Sequence, residues 1–275
     1  MTTTVHQVAQ SGFGTGTNEL YDRIRPTYQP FALDYIRDSI KEQGPLKIVE
    51  IGAGTGIFTR AILADQEWNK RLQTLKAIEP SEGMREVFVS KVVDPRISCA
   101  HGTFDDTGVE DGWADLVVIA QAFHWCPDYD KASAEFARVL KPNGIVAFIW
   151  NLEDRDGAQW VAQLRDLIEE HEQGTPQFRH GYWRATFVTP SYKAHFESPQ
   201  EENWSYTIAG SKEGAVDRAS SKSYVAVLPV DKKKEVQDAI RKIVDEDQQR
   251  VWIDKSQGIF EYPYKAYVVI AQKKQ

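Results

Sequence analysis

Short apolar runs alternate with amphipathic stretches up to about residue 151. Leu46-Lys47-Ile48-Val49-Glu50-Ile51 is bounded by Gly44-Pro45 on one side and Gly52 on the other, and it predicts a buried strand. Further strands are predicted at Leu75-Lys76-Ala77-Ile78-Glu79, Ile97-Ser98-Cys99-Ala100, Ala114-Asp115-Leu116-Val117-Val118-Ile119-Ala120 and residues 145–150. Helical spacing predicts a helix over 31–42, where Phe31, Leu33, Tyr35, Ile36 and Ile40 form a rough stripe. It predicts others over 57–64, 84–91 and 130–140, the last stopped by Lys141-Pro142-Asn143-Gly144. Strands alternating with helices predict a parallel α/β sheet.

Beyond Asn151 the rhythm changes. A helix is predicted over 158–172, followed by an irregular aromatic stretch over 175–199 with Phe178, Tyr182, Trp183, Phe187, Tyr192 and Phe196. Residues 204–208 could form a strand, 231–249 a charged amphipathic helix, and 264–271 a final alternating strand. Residues 1–18 are rich in Thr, Gly and Gln, lack periodicity and read as a mobile arm. A segment with two prolines, Pro26 and Pro30, then leads into the first helix.

Composition narrows the function classes. The chain has 275 residues, 41% hydrophobic and 27% charged, which is ordinary for a globular protein and argues against disorder. Its 40 acidic and 33 basic residues give a net charge of −7, poor for general binding to nucleic acid or an anionic membrane. Cys99 and Cys126 stand 27 residues apart with no CxxC pair, which argues against a disulfide scaffold or a cysteine-built zinc site. No apolar run approaches the ~20 residues of a membrane span. With no signal pattern at the start and no address tag at the end, a cytoplasmic location is expected. Eight tryptophans, several outside strand-like runs, hint at an aromatic-lined pocket.

The chemistry gathers at strand ends. Gly52-Ala53-Gly54-Thr55-Gly56 follows the first strand and opens the next helix. Glycines there permit positive φ and close approach of a ligand to the backbone. Free N–H groups at the helix start favour an anionic group. Such a loop could serve NAD, FAD or S-adenosylmethionine. Glu79 ends the second strand, 23 residues beyond Gly56, where an acid can accept hydrogen bonds from both ribose hydroxyls of an adenosine. Gly102-Thr103-Phe104-Asp105, Gln121-Ala122-Phe123-His124-Trp125 and Trp150-Asn151 follow or end the next three strands, so they should face the same crevice.

With these residues in place, the chain resembles the class I S-adenosylmethionine-dependent methyltransferases, and within them the small-molecule branch of trans-aconitate methyltransferase-like enzymes. The resemblance rests on Tyr21-Asp22-Arg23-Ile24-Arg25-Pro26, Glu50-Ile51-Gly52-Ala53-Gly54-Thr55-Gly56, Ala77-Ile78-Glu79-Pro80-Ser81-Glu82-Gly83-Met84, Gln121-Ala122-Phe123-His124-Trp125 and Arg138-Val139-Leu140-Lys141-Pro142-Asn143-Gly144. It spans residues 21–151 and fades beyond. It implies a Rossmann-like sheet of about seven strands with a helical and irregular substrate cap. The implied division is an arm and lid over 1–30, a cofactor-binding core over 31–155, and a cap with the last strands over 156–275. It also implies roles. Gly52, Ala53 and Gly54 line the methionine and ribose part of S-adenosylmethionine, and Glu79 holds the ribose hydroxyls. Pro80 and Met84 sit beside the adenosine, Thr103 and Phe104 flank the adenine, and Gln121 sits at the methionine end. Tyr21 and Arg25 close over that end, with Arg25 facing the carboxylate.

The acceptor side is read from the residues left over. Trp125 and Trp150 are candidates to face the sulfonium, and Trp125, Trp150, Asn151 and Trp183 to meet the substrate. His124 is the catalytic candidate: it could take a proton from a phenol or amine, or orient a carboxylate that is already ionised. Arg179, Arg184, Lys193, Arg218 and Lys222 in the cap would suit an acidic small molecule. No histidine pair has HExxH spacing, so no metal site is expected. The function expected is O-methylation of a carboxylic acid to its methyl ester, on a small-molecule acceptor, with neither nucleic acid nor membrane as partner. Phenol or amine methylation, a nucleotide-dependent oxidoreductase and a non-catalytic cofactor-binding module are the alternatives.

Overall fold

A computed structural model describes residues 17–275. Eight strands form one sheet: β1 (Leu46–Ile51), β2 (Leu72–Ile78), β3 (Ile97–Ala100), β4 (Ala114–Ala120), β5 (Leu140–Glu153), β6 (Gln200–Gly210), β7 (Trp252–Asp254) and β8 (Ile259–Gln272). Their order is β3-β2-β1-β4-β5-β8-β6, with β7 paired to β8. The strands from β3 to β5 are parallel, and β8 runs antiparallel to both β5 and β6. The chain moves outward from β1 to β3, then returns to place β4 on the other side of β1. The crevice beyond the carboxyl ends of β1 and β4 is therefore the topological switch point, where ligands of such sheets bind.

Side-chain alternation explains the two layers of helices. All seven residues of β4 are buried. Leu116 and Val118 join Ile48 and Leu75 on one face, under helices α2 (Pro30–Asp38) and α3 (Ile57–Ala64). Val117 and Ile119 join Val49 and Phe148 on the other, under α6 (Tyr129–Val139) and the Trp183–Tyr192 region. A strand covered on both faces favours a near-continuous apolar run, which is how β4 reads apart from Asp115, and β1 apart from Lys47 and Glu50. The helices between them are α4 (Gln66–Arg71) and α5 (Glu82–Lys91). Ser81 caps α5 through its hydroxyl, and Asp128 caps α6 through its carboxylate, so the loops after β2 and β4 end in fixed helix starts. A third cluster packs α7 (Gln159–Glu169), α9 (Lys212–Ser220) and α11 (Val230–Glu246) on Phe260, Tyr262 and Tyr264 of β8. The short helix α10 (Ser223–Ala226) joins this cluster, and α8 (Pro190–His195) packs through Tyr192 on the sheet's second face.

Several expectations need correction. Residues 1–16 of the expected arm lie outside the described residues, and from Thr17 the chain forms a helix, α1 (Thr17–Ile24). Polar bonds hold this helix: Arg60 Nη2 donates to Asp22 Oδ1 at 2.5 Å. Leu20, Tyr21 and Ile24 give it one apolar face, a short pattern that does not predict a helix beside Pro26. Strand β5 begins at Leu140 and absorbs the predicted stop over 141–144, with a register irregularity against β4. Helices α4, α8, α9 and α10 and strand β7 were not anticipated. Among the described residues, no helix is long and apolar enough to cross a membrane.

Candidate active site

Gly52, Gly54 and Gly56 all have positive φ, +71°, +55° and +82°. Their surroundings differ. A Cβ on Gly52 would stand 2.6 Å from Ala122 Cβ, and one on Gly56 would stand 2.8 Å from Val92 and 2.9 Å from Phe88. Both make room for packed neighbours, and Gly52 also lines the cavity beside Glu79. A Cβ on Gly54 would meet nothing within 4 Å, so this glycine presents bare backbone to open space. Backbone N–H groups of Gly52 and Ala53 donate to the Ile78 carbonyl at 2.8 and 3.2 Å, tying the loop to the end of β2.

Glu79, just past β2, is buried at 7% exposure. Its Oε2 accepts from the Gly54 N–H at 2.9 Å and its Oε1 from the Ser81 N–H at 2.8 Å. Burial raises its pKa, against the pull of those two bonds and of the Arg85 charge. A carboxylate has about four acceptor sites. Two are used, and two remain for a ligand beside it.

Glu79 lines a cavity that opens to solvent at the switch point of the sheet. Tyr21, Gly52, Gly54, Pro80 and Met84 share its walls, as do Thr103, Phe104 and Gln121. Ala53 does not reach them. Ser81, Asp105 and Trp125 do, and the site expected from the sequence lacked the first two. Both stood inside quoted stretches, and only the direction of the side chain was missing. Gln121 holds φ +58°, rare for a residue with a side chain and a form of strain found at functional sites. Its N–H donates to the Ile149 carbonyl at 2.8 Å and its Nε2 to the Asn151 carbonyl at 2.7 Å, which fixes the turn after β4.

A second cavity adjoins the first, and Tyr21, Gln121 and Trp125 line both. Its other walls include Arg25, His124 and Asn151, and from the cap half Arg165, Arg179, Arg218 and Lys222. Arg25, expected over the cofactor's carboxylate, lines this second cavity beside Tyr21 and Gln121. It donates through Nε and Nη2 to the Ser221 hydroxyl (3.2 Å) and carbonyl (2.9 Å), with its guanidinium 4.4 Å from the centre of the Tyr21 ring. Burial, with the charge of Arg218, lowers its pKa to about 10. Trp150 and Trp183 are corrections. They pack on each other at 4.8 Å inside the sheet's second core face and line neither cavity. Arg184 is spent on Glu201 and Tyr267. It and Lys193 also lie off both walls.

His124 sits in a 3-10 turn just beyond β4. Its Nδ1 is enclosed without a hydrogen-bond partner. Burial, reinforced by the Lys222 and Arg25 charges, pushes its pKa down to about 3, so the ring is neutral near pH 7. Behind the cap cations lies Glu153. Its Oε2 accepts from Arg165 at 2.9 Å and Lys222 at 2.8 Å, and its Oε1 lies 3.1 Å from Arg218 Nη2. Burial alone would raise its pKa, but the Arg218, Lys222 and Arg165 charges hold it well below the usual carboxylate range. Arg165 and Glu153 were not singled out in the sequence. Each becomes visible only once α7 and the end of β5 are brought together.

Residues 49–148 match a family model described as a methyltransferase domain. Over 167 residues the chain is 32% identical to an uncharacterized methyltransferase-like protein of Schizosaccharomyces pombe, covering 61% of this chain and 62% of that one. Over 224 residues it is 27% identical to an uncharacterized methyltransferase of Mycobacterium tuberculosis, covering 82% of each. The matches span 62% and 56% of the two fission-yeast relatives' lengths. Among solved structures, the YcgJ protein of Bacillus subtilis superposes with a TM-score of 0.55 at 18% identity, covering 90% of this chain and all of that one. A phosphoethanolamine N-methyltransferase of Haemonchus contortus, in complex with phosphomonomethylethanolamine and S-adenosylhomocysteine, superposes with a TM-score of 0.57 at 15% identity, covering 100% of this chain and 61% of that one. The fold is the Rossmann-like α/β fold of methyltransferases. Residues 49–148 carry a methyltransferase domain.

Proposed function

We propose that the chain methylates a carboxylate oxygen of a small acidic molecule, giving a methyl ester. The observation that carries this is the pair of joined cavities. One holds the Gly54–Glu79 cradle, the other is walled by cations, and they meet at Tyr21, Gln121 and Trp125. The cradle fits the cofactor by its own geometry, with bare backbone at Gly54 and spare acceptor capacity on Glu79. Residues from Thr17 to Pro30 act as the lid in this assignment, and the half beyond residue 155 as the cap.

When bound, S-adenosylmethionine supplies a methyl group on a positively charged sulfur that leaves as a neutral thioether. The protein's part is alignment and exclusion of water. Glu79 and the glycine loop would hold the nucleoside. The Trp125 ring at the junction would favour the positive sulfur by ~0.5–2 kcal/mol. The cations of the second cavity would draw in the acceptor's carboxylate, which is ionised at neutral pH and has no proton to lose. His124 would hydrogen-bond that carboxylate. A group with a pKa of about 3 is a poor general base near pH 7, which favours the carboxylate over a phenol or amine.

His124→Asn tests this assignment. The variant keeps a hydrogen-bonding side chain, so turnover should fall about 30-fold or less, within the range for one hydrogen bond, charge-assisted included. The pH–rate profile should gain no steep alkaline dependence. A loss beyond about a thousandfold, relieved by raising pH, would instead make His124 a general base and move the acceptor to a phenol or amine. Stability gives a second readout. Unfolded His124 takes a proton near pH 6.5 and the folded one only near pH 3. Its contribution to stability is therefore whole above about pH 6.5 and is lost as pH falls toward 3. Thermal melts of His124→Asn should show a shallower acid decline than the wild type.

A further inference from the structure

Five cations line the acceptor cavity, but their donors are not equally occupied. Arg165 is bound by Glu153 and Glu169, Arg179 by Glu172, and Arg25 by Ser221. Arg218 differs. It is 2% exposed, its Nε donates to the Tyr264 hydroxyl at 3.1 Å, and neither Nη1 nor Nη2 has a hydrogen-bond partner. Its Nη2 lies 3.1 Å from Glu153 Oε1, an ion pair without hydrogen-bond alignment. A buried guanidinium with unmet donors is costly, and such groups mark places where a ligand completes the network. Lys222, four residues on, places its ammonium on the same wall. It gives one bond to Glu153, and an ammonium has three donors. Glu153 itself stands on neither cavity wall, so it cannot be an acceptor ligand.

We propose that Arg218 and Lys222 form an oxyanion subsite in the acceptor cavity, and that Glu153 behind them is the positioning residue that keeps both aimed into it. The proposal rests on the second cavity being the acceptor's. Its ligand is an anionic group of the acceptor, a carboxylate or a phosphate, since a guanidinium fork and an ammonium suit both. Glu153 holds three mutually repelling cations in place from one carboxylate. The charged and titratable groups around Lys222 are Arg25, His124, Glu153, Arg165 and Arg218. Burial, with the Arg218 charge, pulls the Lys222 ammonium well below the ordinary lysine range, and Glu153 opposes that pull. Removing the Glu153 charge should therefore cost Lys222 its proton as pH rises, and the subsite with it.

The test is titration of the whole protein with malonate and with inorganic phosphate, with and without S-adenosylhomocysteine, followed by the Arg218 Nε–H NMR signal. At least one anion should shift that signal saturably, and the preferred one names the acceptor's anionic group. By calorimetric titration of the same anion, Arg218→Met and Lys222→Met should each weaken binding about tenfold or more, and Arg184→Met should not change it. Glu153→Gln should bind more weakly than the wild type at pH 6 and at pH 8.5, with the larger loss at the higher pH. If Glu153→Gln fails to fold, Glu153→Asp replaces it. With its charge kept and its reach shortened, it should bind about tenfold more weakly at both pH values. No saturable shift with either anion, native affinity in Arg218→Met, or tighter binding by Glu153→Gln at both pH values would overturn the proposal, as would native affinity in Glu153→Asp. The cofactor-free titration keeps this outcome separate from any failure of cofactor binding.

Discussion

Gly54→Val should bind S-adenosylmethionine more than ~100-fold more weakly, a loss of about 2.7 kcal/mol or more, while remaining folded. The added Cβ meets no protein atom within 4 Å, so it does not disturb packing. It fills the space through which a ligand reaches the loop's backbone. Holding a β-branched residue at φ +55° costs stability on the order of 1–3 kcal/mol, so the melting temperature should drop modestly. Gly56→Val provides the contrast. Its Cβ would press on Val92 and Phe88, so the fold should suffer more than the affinity. Calorimetric titration beside thermal melts separates the two. Native affinity in a folded Gly54→Val protein would show that the loop is not the cofactor site.

Glu79→Ala should raise the dissociation constant roughly 10- to 100-fold, the loss of ~1.5–3 kcal/mol expected for hydrogen bonds to a charged acceptor. The variant also orphans the Gly54 and Ser81 N–H groups, so some affinity is lost through a looser loop. Glu79→Gln distinguishes the two causes. It can still accept one of those bonds, and it should recover stability before it recovers affinity. Calorimetry below the melting temperature of each variant is the measurement. Unchanged affinity in Glu79→Ala would remove the ribose assignment.

The sequence was most legible where burial is two-sided or where a glycine is forced. The near-continuous apolar run of β4 predicted its bounds, because a strand with helices on both faces buries side chains on both, and its one charged residue, Asp115, is paired by Lys141 and the Lys47 N–H. Gly52, Gly54 and Gly56 marked the loop because all three need positive φ. The sequence could not say which of them packs and which faces the ligand, since that depends on Ala122, Phe88 and Val92 arriving from elsewhere. Trp150 and Trp183 looked like pocket aromatics because nothing local separates a wall tryptophan from a core one. They are core because α8 and the 3-10 turns before it fold back over β5 and β8. The Glu153 cluster was hidden because it is held by polar pairs between distant segments, Glu153 with Arg218 among them, and apolar periodicity carries no signal for such pairs.

The most direct test of methyl transfer to a carboxylate is the fate of the methyl group. The protein would be incubated with methyl-labelled S-adenosylmethionine and a pooled library of small carboxylic acids, phenols and amines, and the labelled products identified by mass spectrometry. The label should appear in methyl esters of acids, and mild alkali should release it as methanol. Label found only in alkali-stable phenol ethers or methylamines would contradict the carboxylate assignment and direct attention back to His124 as a base.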